Sequence, residues 1–481
     1  MKKVAVIGGG ISGLAAAYRL SHSRIAREEG LDISVYEAGK HFGGVIQTEC
    51  RDGLLMEKGP ESFITAKPWA LELCKELGLE SELIGTNEES RQSFILFRGK
   101  LFPVPQGFYL MAPTRFADLA KTPLLSLKGK FRAAMEWFLP PHKGEGDESL
   151  GSFIHRRFGT EILERLAQPL ISGIYSADLN SLSLEATFPH FRKMERDYGS
   201  VIRALVRKKD SALRAASGAR YSLFLTLRGG MSRLTQALID QMPQVSFQAS
   251  MSVLQLEKKE RWNIRFENGA LAEADSVCVA VPAPRAWKIL ESSAPALSRK
   301  LREIPYSTVA TVNLAYRRAD IHCEIKGAGY VTTDRGENKF IIGCTFASQK
   351  FEGRSSNPDV VLVRAFVGGR SLAGFESLSD DDFLATQVTR ELAHPLRITS
   401  DPLSISIARW PESLPAYHVG HKEKVKAIYE NLKEFSGLYV TGNAYEGTGI
   451  PDCIHHAFST ADQIKGDFKM GIHPKRQTVS V

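Results

Sequence analysis

The chain has 481 residues, which is more than one hydrophobic core usually serves, so we expect two or three domains. Apolar residues make up 43% and charged residues 24%, an ordinary globular composition that excludes a disordered or fibrous protein. The formal net charge of +8 favours anionic partners, although a solvated basic face would give the same value.

The cysteines and the first residues indicate a reducing compartment. The six cysteines are scattered and form no Cys-x-x-Cys pair, which argues against a disulfide framework, a zinc site or a dithiol flavin reductase. Met-Lys-Lys leads directly into the first strand, and no run approaches ~20 apolar residues, so neither a secretory signal nor a spanning helix is expected. We therefore expect a cytoplasmic protein without a bound metal.

The first fourteen residues predict a dinucleotide-binding turn. An apolar run stops at Gly8-Gly9-Gly10-Ile11-Ser12-Gly13, which satisfies the pattern Gly-x-Gly-x-x-Gly and opens a helix. In that pattern Gly8 turns the chain sharply, Gly10 lets the backbone approach a pyrophosphate, and Gly13 lets the helix pack closely on its strand. The phosphates then bind at the helix N-terminus, where free N–H groups favour anions. The alternative is a plain βαβ unit.

A carboxylate follows the second predicted strand. That strand ends at Glu37, close to the spacing of roughly 20 residues expected of an acid that binds a ribose hydroxyl. An acid here would repel a 2′-phosphate, which disfavours NADP. Ala38 begins a short polar loop, and the doublet Gly43-Gly44 allows a second backbone segment to pass close to the cofactor. This arrangement is common in FAD-binding proteins. The chain has no second glycine motif of this type, so we expect molecular oxygen, not a nicotinamide, to take the electrons.

The middle of the chain alternates strands and helices. Residues 45–62 read as a strand pair leading into a turn at Gly59-Pro60, and Lys67 to Gly78 reads as an amphipathic helix. The segment LFPVPQGFYLMAP follows a strand predicted at Ser93 to Phe97. Its apolar residues are Phe102, Phe108, Tyr109, Leu110 and Met111, and it lies in the basic stretch Arg91 to Lys143. A basic surface with exposed apolar side chains can lie on a bilayer. The alternative is that these residues roof a cavity.

The sequence from residue 124 onward predicts a helical region, a link, a sheet and a final segment that returns to the cofactor. Residues 124–187 have a helical pattern, and Lys208–Ala219 resembles a flexible link inside a second basic cluster. Longer strands follow from residue 294, with a helix at Asp380 to Leu392 that would cover one side of a sheet. The final segment, GLYVTGNAYEGTGIPDCIHHAF, reads as strand, glycine turn and helix, so its helix N-terminus should point at the cofactor. A chance strand and helix is the alternative.

Several motifs together resemble one protein family. They are GPESF, ISGIYSADLNSLSLEATFP, RWPESLPAYHVGHKEKV and GNAYEGTGIPDCI, in addition to the glycine motif and EAGKHFGG. In this order they resemble the FAD-dependent porphyrinogen oxidases of haem synthesis, most of all the coproporphyrinogen III oxidase branch, which is the sister of protoporphyrinogen oxidase. The resemblance covers residue 1 to about 466.

The resemblance implies an interleaved α/β architecture, with α+β character overall. It has a Rossmann-like FAD-binding domain, a mixed-sheet substrate domain and an α-helical module that contacts membrane in relatives. We expect the FAD-binding domain at 1–62, 211–292 and 409–470, the substrate domain at 63–92 and 293–408, the helical module at 93–210, and a tail at 471–481.

The resemblance also implies an oxidase. It would convert coproporphyrinogen III to coproporphyrin III in three rounds of hydride transfer to flavin, with oxygen reduced to peroxide. The alternatives are protoporphyrinogen IX oxidation, a flavin amine oxidase, and a porphyrin carrier without activity. Few catalytic side chains are expected, because formation of the aromatic product drives the reaction. Ser93 stands where mitochondrial protoporphyrinogen oxidases tend to carry an arginine.

The family positions carried onto this chain are as follows. The backbone carbonyl of Gly173 would face the pyrrole N–H groups, Val331, Thr345 and Phe366 would sandwich the macrocycle, and Lys67 and Arg91 are candidates for binding propionates. Besides the residues already named, the cofactor contacts would include Gly59, Pro60, Glu61, Ser62, Val253, Trp410, Gly442, Asn443, Gly449, Ile450 and Pro451.

The expected partners are the porphyrinogen and, through the helical module, the anionic inner face of the cell membrane. No nucleic-acid partner is expected. Later enzymes of the haem pathway are candidate partners, and the sequence leaves the oligomeric state open.

Overall fold

The computed structural model describes residues 1–142, 144, 146–207, 223–324, 326–333, 339–368 and 380–470. The predicted link Lys208–Ala219 and the tail 471–481 lie outside these residues. So do Lys143 of the first basic stretch and most of the second basic cluster.

A five-stranded parallel sheet carries the glycine motif. Its strand order is Ser246–Gln248, Leu31–Tyr36, Lys2–Ile7, Ser276–Val279 and Leu438–Val440. Val4 and Val6 pack with the first helix (Ile11–Ser21) and the last helix (Ile450–Lys469), whereas Ala5 and Ile7 pack with the core on the opposite face. Successive side chains of a strand point to opposite faces, so the continuous apolar run of the first strand is buried on both. The predicted Rossmann-like α/β fold is confirmed.

A seven-stranded mixed sheet forms the second layer. Its strand order is Ser404–Pro415, Tyr306–Arg317, Val360–Gly368, Ile341–Thr345, Gly329–Thr332, Ser93–Phe97 and Lys100–Pro103. One face, which includes Tyr330, Cys344 and Val367, packs against the helix Asp381–Leu396. The sequence predicted a helix at Asp380 to Leu392 that covers one side of a sheet, and the structure agrees with this prediction.

Residues 93–103 lie in this sheet, whereas the sequence predicted them to open the helical module. Phe94, Leu96 and Leu101 pack on the face that the helix Asp381–Leu396 covers. Ile95, which points to the opposite face, is buried in the core of the helical module. The alternation of side chains therefore joins the sheet to the helices, and a boundary placed at residue 93 divides one continuous structure.

The helical module follows these strands and has its own apolar core, which includes Leu125, Phe153, Leu166 and Phe191. Its helices include Phe116–Lys121, Leu127–Ala134, Leu150–Phe158, Thr160–Ile162, Gln168–Tyr175, Leu184–Thr187 and Pro189–Tyr198, and residues 201–207 are helical as well. Inside it, Glu136 and Arg157 form a fully buried ion pair, and the Glu136 carboxylate also accepts hydrogen bonds from Val201 N at 2.9 Å and Ile202 N at 3.1 Å. Such donors compensate the cost of removing the charge from water.

Smaller elements complete the fold. The predicted strand pair is Thr48–Arg51 with Leu54–Glu57, and the other small sheets are Phe63–Ile64 with Phe224–Leu227 and Leu83–Gly85, Val253–Lys258 with Trp262–Phe266 and Leu271–Ala274, and Phe108–Tyr109 with Ala112–Pro113. The remaining α-helices are Trp69–Glu76, Ser232–Asp240, Ala283–Leu290, Pro295–Arg302, Ala347–Lys350 and His421–Leu432. Within the described ranges, no helix is both long and apolar enough to cross a membrane.

Candidate active site

The glycine turn leaves room for a ligand at one position. A Cβ added to Gly8 would lie 2.7 Å from Ala280 O, so Gly8 lets the turn pass close to the end of the strand Ser276–Val279. A Cβ added to Gly13 would lie 1.9 Å from Gly8 O, so Gly13 lets the helix pack closely against the turn. A Cβ added to Gly10 would have only Gly44 Cα within 4 Å, at 3.8 Å. The space above Gly10 is therefore open, which fits the predicted approach of a pyrophosphate.

Glu37 is held at the end of its strand by two backbone amides. Gly9 N donates to Glu37 Oε2 and Gly39 N donates to Oε1, each at 2.7 Å. A carboxylate has about four acceptor positions, so two remain for ribose hydroxyls. Gly43 N donates to Gly9 O at 2.8 Å, so the Gly43-Gly44 loop lies directly against the glycine turn.

The last helix brings a second turn to the same place. Gly449 is its N-cap residue and makes no side-chain capping bond, as is also true of Gly10 before the first helix. The first and last helices pack in one core, which includes Leu14 and Ile454, and burial raises the pKa of the Cys453 thiol against a smaller, lowering effect of Ser12, so the two uncapped N-termini are adjacent. A Cβ added to Gly442 would find nothing within 4 Å. Two open glycines and two helix N-termini therefore form a cradle suited to a dinucleotide such as FAD.

Two tyrosines fix the Gly442–Gly449 turn, and no sequence motif predicts this role for them. Tyr417 OH donates to Asn443 O at 2.6 Å and accepts from Gly447 N at 2.9 Å, and Tyr306 OH donates to the Asn443 side chain at 3.1 Å. Burial raises the pKa of both phenols, so both remain neutral. Tyr417 lies within the motif RWPESLPAYHVGHKEKV, but no pattern in the sequence connects it with Asn443.

His421 should make stability depend on pH. Its ring stacks on Tyr417 with centroids 3.8 Å apart, and burial lowers its pKa from 6.5 to about 4. The unfolded chain binds a proton at His421 at a higher pH than the native protein does. The contribution of neutral His421 to the free energy of unfolding is therefore fully present above pH 6.5 and is lost as the pH falls toward 4. We expect wild type to lose ~2–3 kcal/mol more unfolding free energy than His421→Gln between pH 7.5 and 4.5, measured by urea denaturation. Equal losses of unfolding free energy in wild type and His421→Gln would contradict the lowered pKa of His421.

The helix Gln168–Tyr175 lies against the strands Gly329–Thr332 and Ile341–Thr345 of the seven-stranded sheet, and we call the region between them the slot. Gly173 is exposed, and a Cβ added to it would lie 3.3 Å from Val331. Val331 pairs with Gly343, and Gly343 pairs with Phe366, so these three residues form one row across three strands. Thr345 lies on the same face of its strand as Gly343. The structure therefore places the four predicted substrate residues, Gly173, Val331, Thr345 and Phe366, around one slot.

The slot borders the cofactor turn. Burial and then the Asp452 carboxylate raise the pKa of Tyr175 to about 12, so Tyr175 lies within electrostatic range of the first turn of the last helix. On the sheet side, Thr311 Oγ1 and Trp410 Nε1 donate to Lys58 O at 2.6 and 2.7 Å. The predicted cofactor segment around Gly59 therefore lies across the edge strand Ser404–Pro415 and its neighbour Tyr306–Arg317.

Three predicted charged residues have protein partners. Lys67 Nζ binds both oxygens of Asp452, at 2.6 and 2.7 Å, next to the cofactor turn. Arg91 pairs with Glu88 at 3.0 Å on an exposed surface. The Glu61 carboxylate pairs with Lys350 and Arg364, so its side chain contacts cations and its cofactor contact would be through the backbone. Val253 is buried in the core beneath the second strand.

The fold and this cradle define a flavin oxidoreductase. The chain belongs to the flavin containing amine oxidoreductase family, whose profile matches residues 11–465. Within that class it is 36% identical to coproporphyrinogen III oxidase of Bacillus subtilis (strain 168), over 94% of this chain and 96% of the relative. It is 26% identical to protoporphyrinogen oxidase 2 of Arabidopsis thaliana, over 96% of this chain and 94% of the relative.

A solved structure is similar over the full length. The crystal structure of a protein from Exiguobacterium sp. 255-15 matches with a TM-score of 0.85 and 29% identity, and the match covers 97% of this chain and 99% of that one. The resemblance to porphyrinogen oxidases, the fold and the enzyme class predicted from the sequence are thereby confirmed.

Proposed function

We propose that the protein is an FAD-dependent oxidase that converts coproporphyrinogen III to coproporphyrin III in haem biosynthesis. The observation that carries the proposal is the apolar slot, in which Gly173 faces the row Val331, Gly343 and Phe366 beside the cofactor turn. The apolar side chains of Val331 and Phe366 suit contact with a large, flat, apolar macrocycle. The higher identity to a coproporphyrinogen III oxidase than to a protoporphyrinogen oxidase supports the choice of substrate.

The residues of the slot bind and orient the substrate and perform little acid–base chemistry. FAD, when bound, supplies the two-electron acceptor. Six hydrogens leave the macrocycle in three two-electron rounds, and three molecules of oxygen become three of hydrogen peroxide. Val331 and Phe366 exclude water from the reacting face, which holds the substrate in a reactive position. Gly173 lies two residues before the end of its helix, so its carbonyl is among the last four, which lack an intrahelical donor. That carbonyl can accept a pyrrole N–H.

We assign the predicted cofactor segments the same roles in this proposal. Gly8 to Gly13 would hold the pyrophosphate, Glu37 the ribose, and Gly442 to Pro451 the flavin's polar side. The substrate carries four propionates, so cations at the slot entrance are needed. Lys67 is the candidate beside the cofactor turn, and a propionate would have to compete there with Asp452.

Side-by-side turnover of the two porphyrinogens tests the function. Purified protein with FAD is given coproporphyrinogen III or protoporphyrinogen IX, and porphyrin fluorescence, oxygen uptake and peroxide are followed. We expect faster turnover of coproporphyrinogen, with one peroxide for each pair of hydrogens removed. A clear preference for protoporphyrinogen would make the second substrate the physiological one. Peroxide release with polyamines alone would show an amine oxidase, and porphyrin binding without oxygen uptake would show a carrier.

We infer that the helical module contacts an anionic membrane through an apolar ridge formed by Leu127, Phe131 and Phe138. These side chains are 84%, 70% and 79% exposed, on the helix Leu127–Ala134 and the turn that follows it. The exposed Lys121 and Lys128 flank the ridge, a combination that suits anionic headgroups around an apolar insertion. The segment at 102–111, which the sequence predicted for this role, is mostly packed on the module, and Met111 is fully buried.

Removal of the ridge should abolish vesicle binding. A variant with Leu127→Ser, Phe131→Ser and Phe138→Ser should lose about tenfold or more in binding to phosphatidylglycerol vesicles, measured by sedimentation, because burial of apolar surface is lost. The matched control replaces Leu254, Leu271 and Leu403, which are also at least half exposed, with serine and should bind as wild type does. Equal binding by wild type and the ridge variant would refute the contact.

A further inference from the structure

Five charged side chains, four of them buried, lie within and next to the predicted cofactor segment Gly59 to Ser62. We call Glu57, Glu61, Lys350, Arg354 and Arg364 the ion cluster. The Arg354 and Arg364 side chains are each 2% exposed, and those of Glu57, Glu61 and Lys350 are 3%, 9% and 17% exposed. Glu57 pairs with Arg354 at 3.5 Å, and Glu61 pairs with Lys350 and, at 3.6 Å, with Arg364.

The ion cluster carries an excess of positive charge. It contains three cations and two carboxylates, so one positive charge is uncompensated within it. Burial alone would raise the pKa of Glu61, but Lys350 and Arg364 outweigh that effect and hold the pKa below its ordinary value, so Glu61 is ionised at neutral pH. The neighbouring carboxylate Glu49 adds no compensation, because it pairs with Lys58 and Arg51.

Arg364 is the cation of the ion cluster that lies between the predicted cofactor segment and the slot. Its guanidinium donates to Gly59 O and lies 4.5 Å from the centroid of the Phe366 ring, so it contacts both the predicted cofactor segment and the slot. Its Nε is buried and has no hydrogen-bond partner. Buried charge interacts over longer distances than exposed charge because water screens it less. An uncompensated buried cation also costs stability, which favours a functional reason for its presence.

We propose that the ion cluster raises the reduction potential of the bound flavin. This inference needs FAD in the cradle but does not depend on the substrate. Bound FAD would accept two electrons and one proton as a hydride, so its reduced form would carry one more negative charge than its oxidised form unless a second proton were added. The positive excess behind the slot stabilises that negative charge and so favours the reduced form. Arg364 is a positioning residue in this role, because it acts through the field on the cofactor.

Two substitutions with opposite effects on charge test the proposal. Arg364→Met removes a positive charge and Glu61→Gln removes a negative one, so the midpoint potentials of bound FAD should move in opposite directions. We expect the equilibrium constant for two-electron reduction to fall about tenfold in Arg364→Met and to rise about tenfold in Glu61→Gln, which is ~30 mV each way. The potentials are measured anaerobically against a reference dye, and no porphyrinogen is present.

Structural damage alone would give a different pattern. If the cluster only holds the fold together, both variants shift the potential in the same direction or leave it unchanged, and either result overturns the proposal. Arg157→Met removes an equally buried, ion-paired arginine from the helical module and should leave the potential unchanged. Arg364→Lys should restore most of the wild-type value. If Arg364→Met binds no flavin, the Glu61→Gln variant alone tests the proposal. A higher midpoint potential of its FAD supports the proposal, and a lower or unchanged potential overturns it. A chain that holds FAD but oxidises no porphyrinogen would refute the proposed function and leave this test intact.

Discussion

Gly10→Val should yield a folded protein that is colourless. The structure leaves the space above Gly10 open, and its backbone has φ −74° and ψ −179°, which any residue can adopt. The valine side chain would then occupy the position where the pyrophosphate meets the N-terminus of the first helix. We expect the Kd for FAD to rise about 100-fold or more, equivalent to ~2.7 kcal/mol, with little change in thermal stability of the cofactor-free protein.

The neighbouring glycine supplies the control for this experiment. A Cβ at Gly13 would lie 1.9 Å from Gly8 O, so Gly13→Ala should damage the fold itself. Comparison of circular dichroism melting with the absorbance of bound flavin separates the two effects. Stoichiometric FAD in purified Gly10→Val would show that the cofactor does not bind at this turn, and the assignment of the cradle would fail.

Gly173→Val should abolish turnover and leave the flavin bound. Gly173 is exposed at the wall of the slot, near the end of its helix, and its closest neighbour across the slot is Val331. A branched side chain there would narrow the space for a macrocycle and displace it from the Gly173 carbonyl. Displacement of a substrate by about 1 Å can cost ~100-fold, so we expect kcat/KM for coproporphyrinogen to fall at least that much.

A size series at the same position tests whether the effect is steric. Gly173→Ala places a single methyl 3.3 Å from Val331 and should give an intermediate loss. FAD content and its visible spectrum should match wild type in both variants, since Gly173 does not belong to the cradle. Full activity in Gly173→Val would place the porphyrinogen elsewhere. A parallel loss of flavin would instead show that the helix Gln168–Tyr175 supports the cofactor turn.

The sequence by itself determined the cofactor half of this protein. The glycine motif, Glu37 and the final glycine turn are local patterns, because a turn, a helix N-terminus and a strand end are each formed by neighbouring residues. The apolar run before the glycine motif likewise predicted the first strand and the helix that follows it. Motif resemblance added the family and the positions that we propose surround the substrate.

The tertiary structure alone decided which residues meet across long distances. Glu61 and Arg364 are 303 residues apart in the numbering, and Tyr417 reaches Asn443 only because two elements pack together. The exposed ridge at Leu127 could not be distinguished from an ordinary amphipathic helix, because burial depends on what the rest of the chain covers. Strand 93–97 was correctly predicted as a strand, but its sheet was not, since pairing with Gly329–Thr332 is a contact between distant segments. Local periodicity predicts whether a segment forms a helix or a strand, whereas tertiary packing decides which distant segment it contacts.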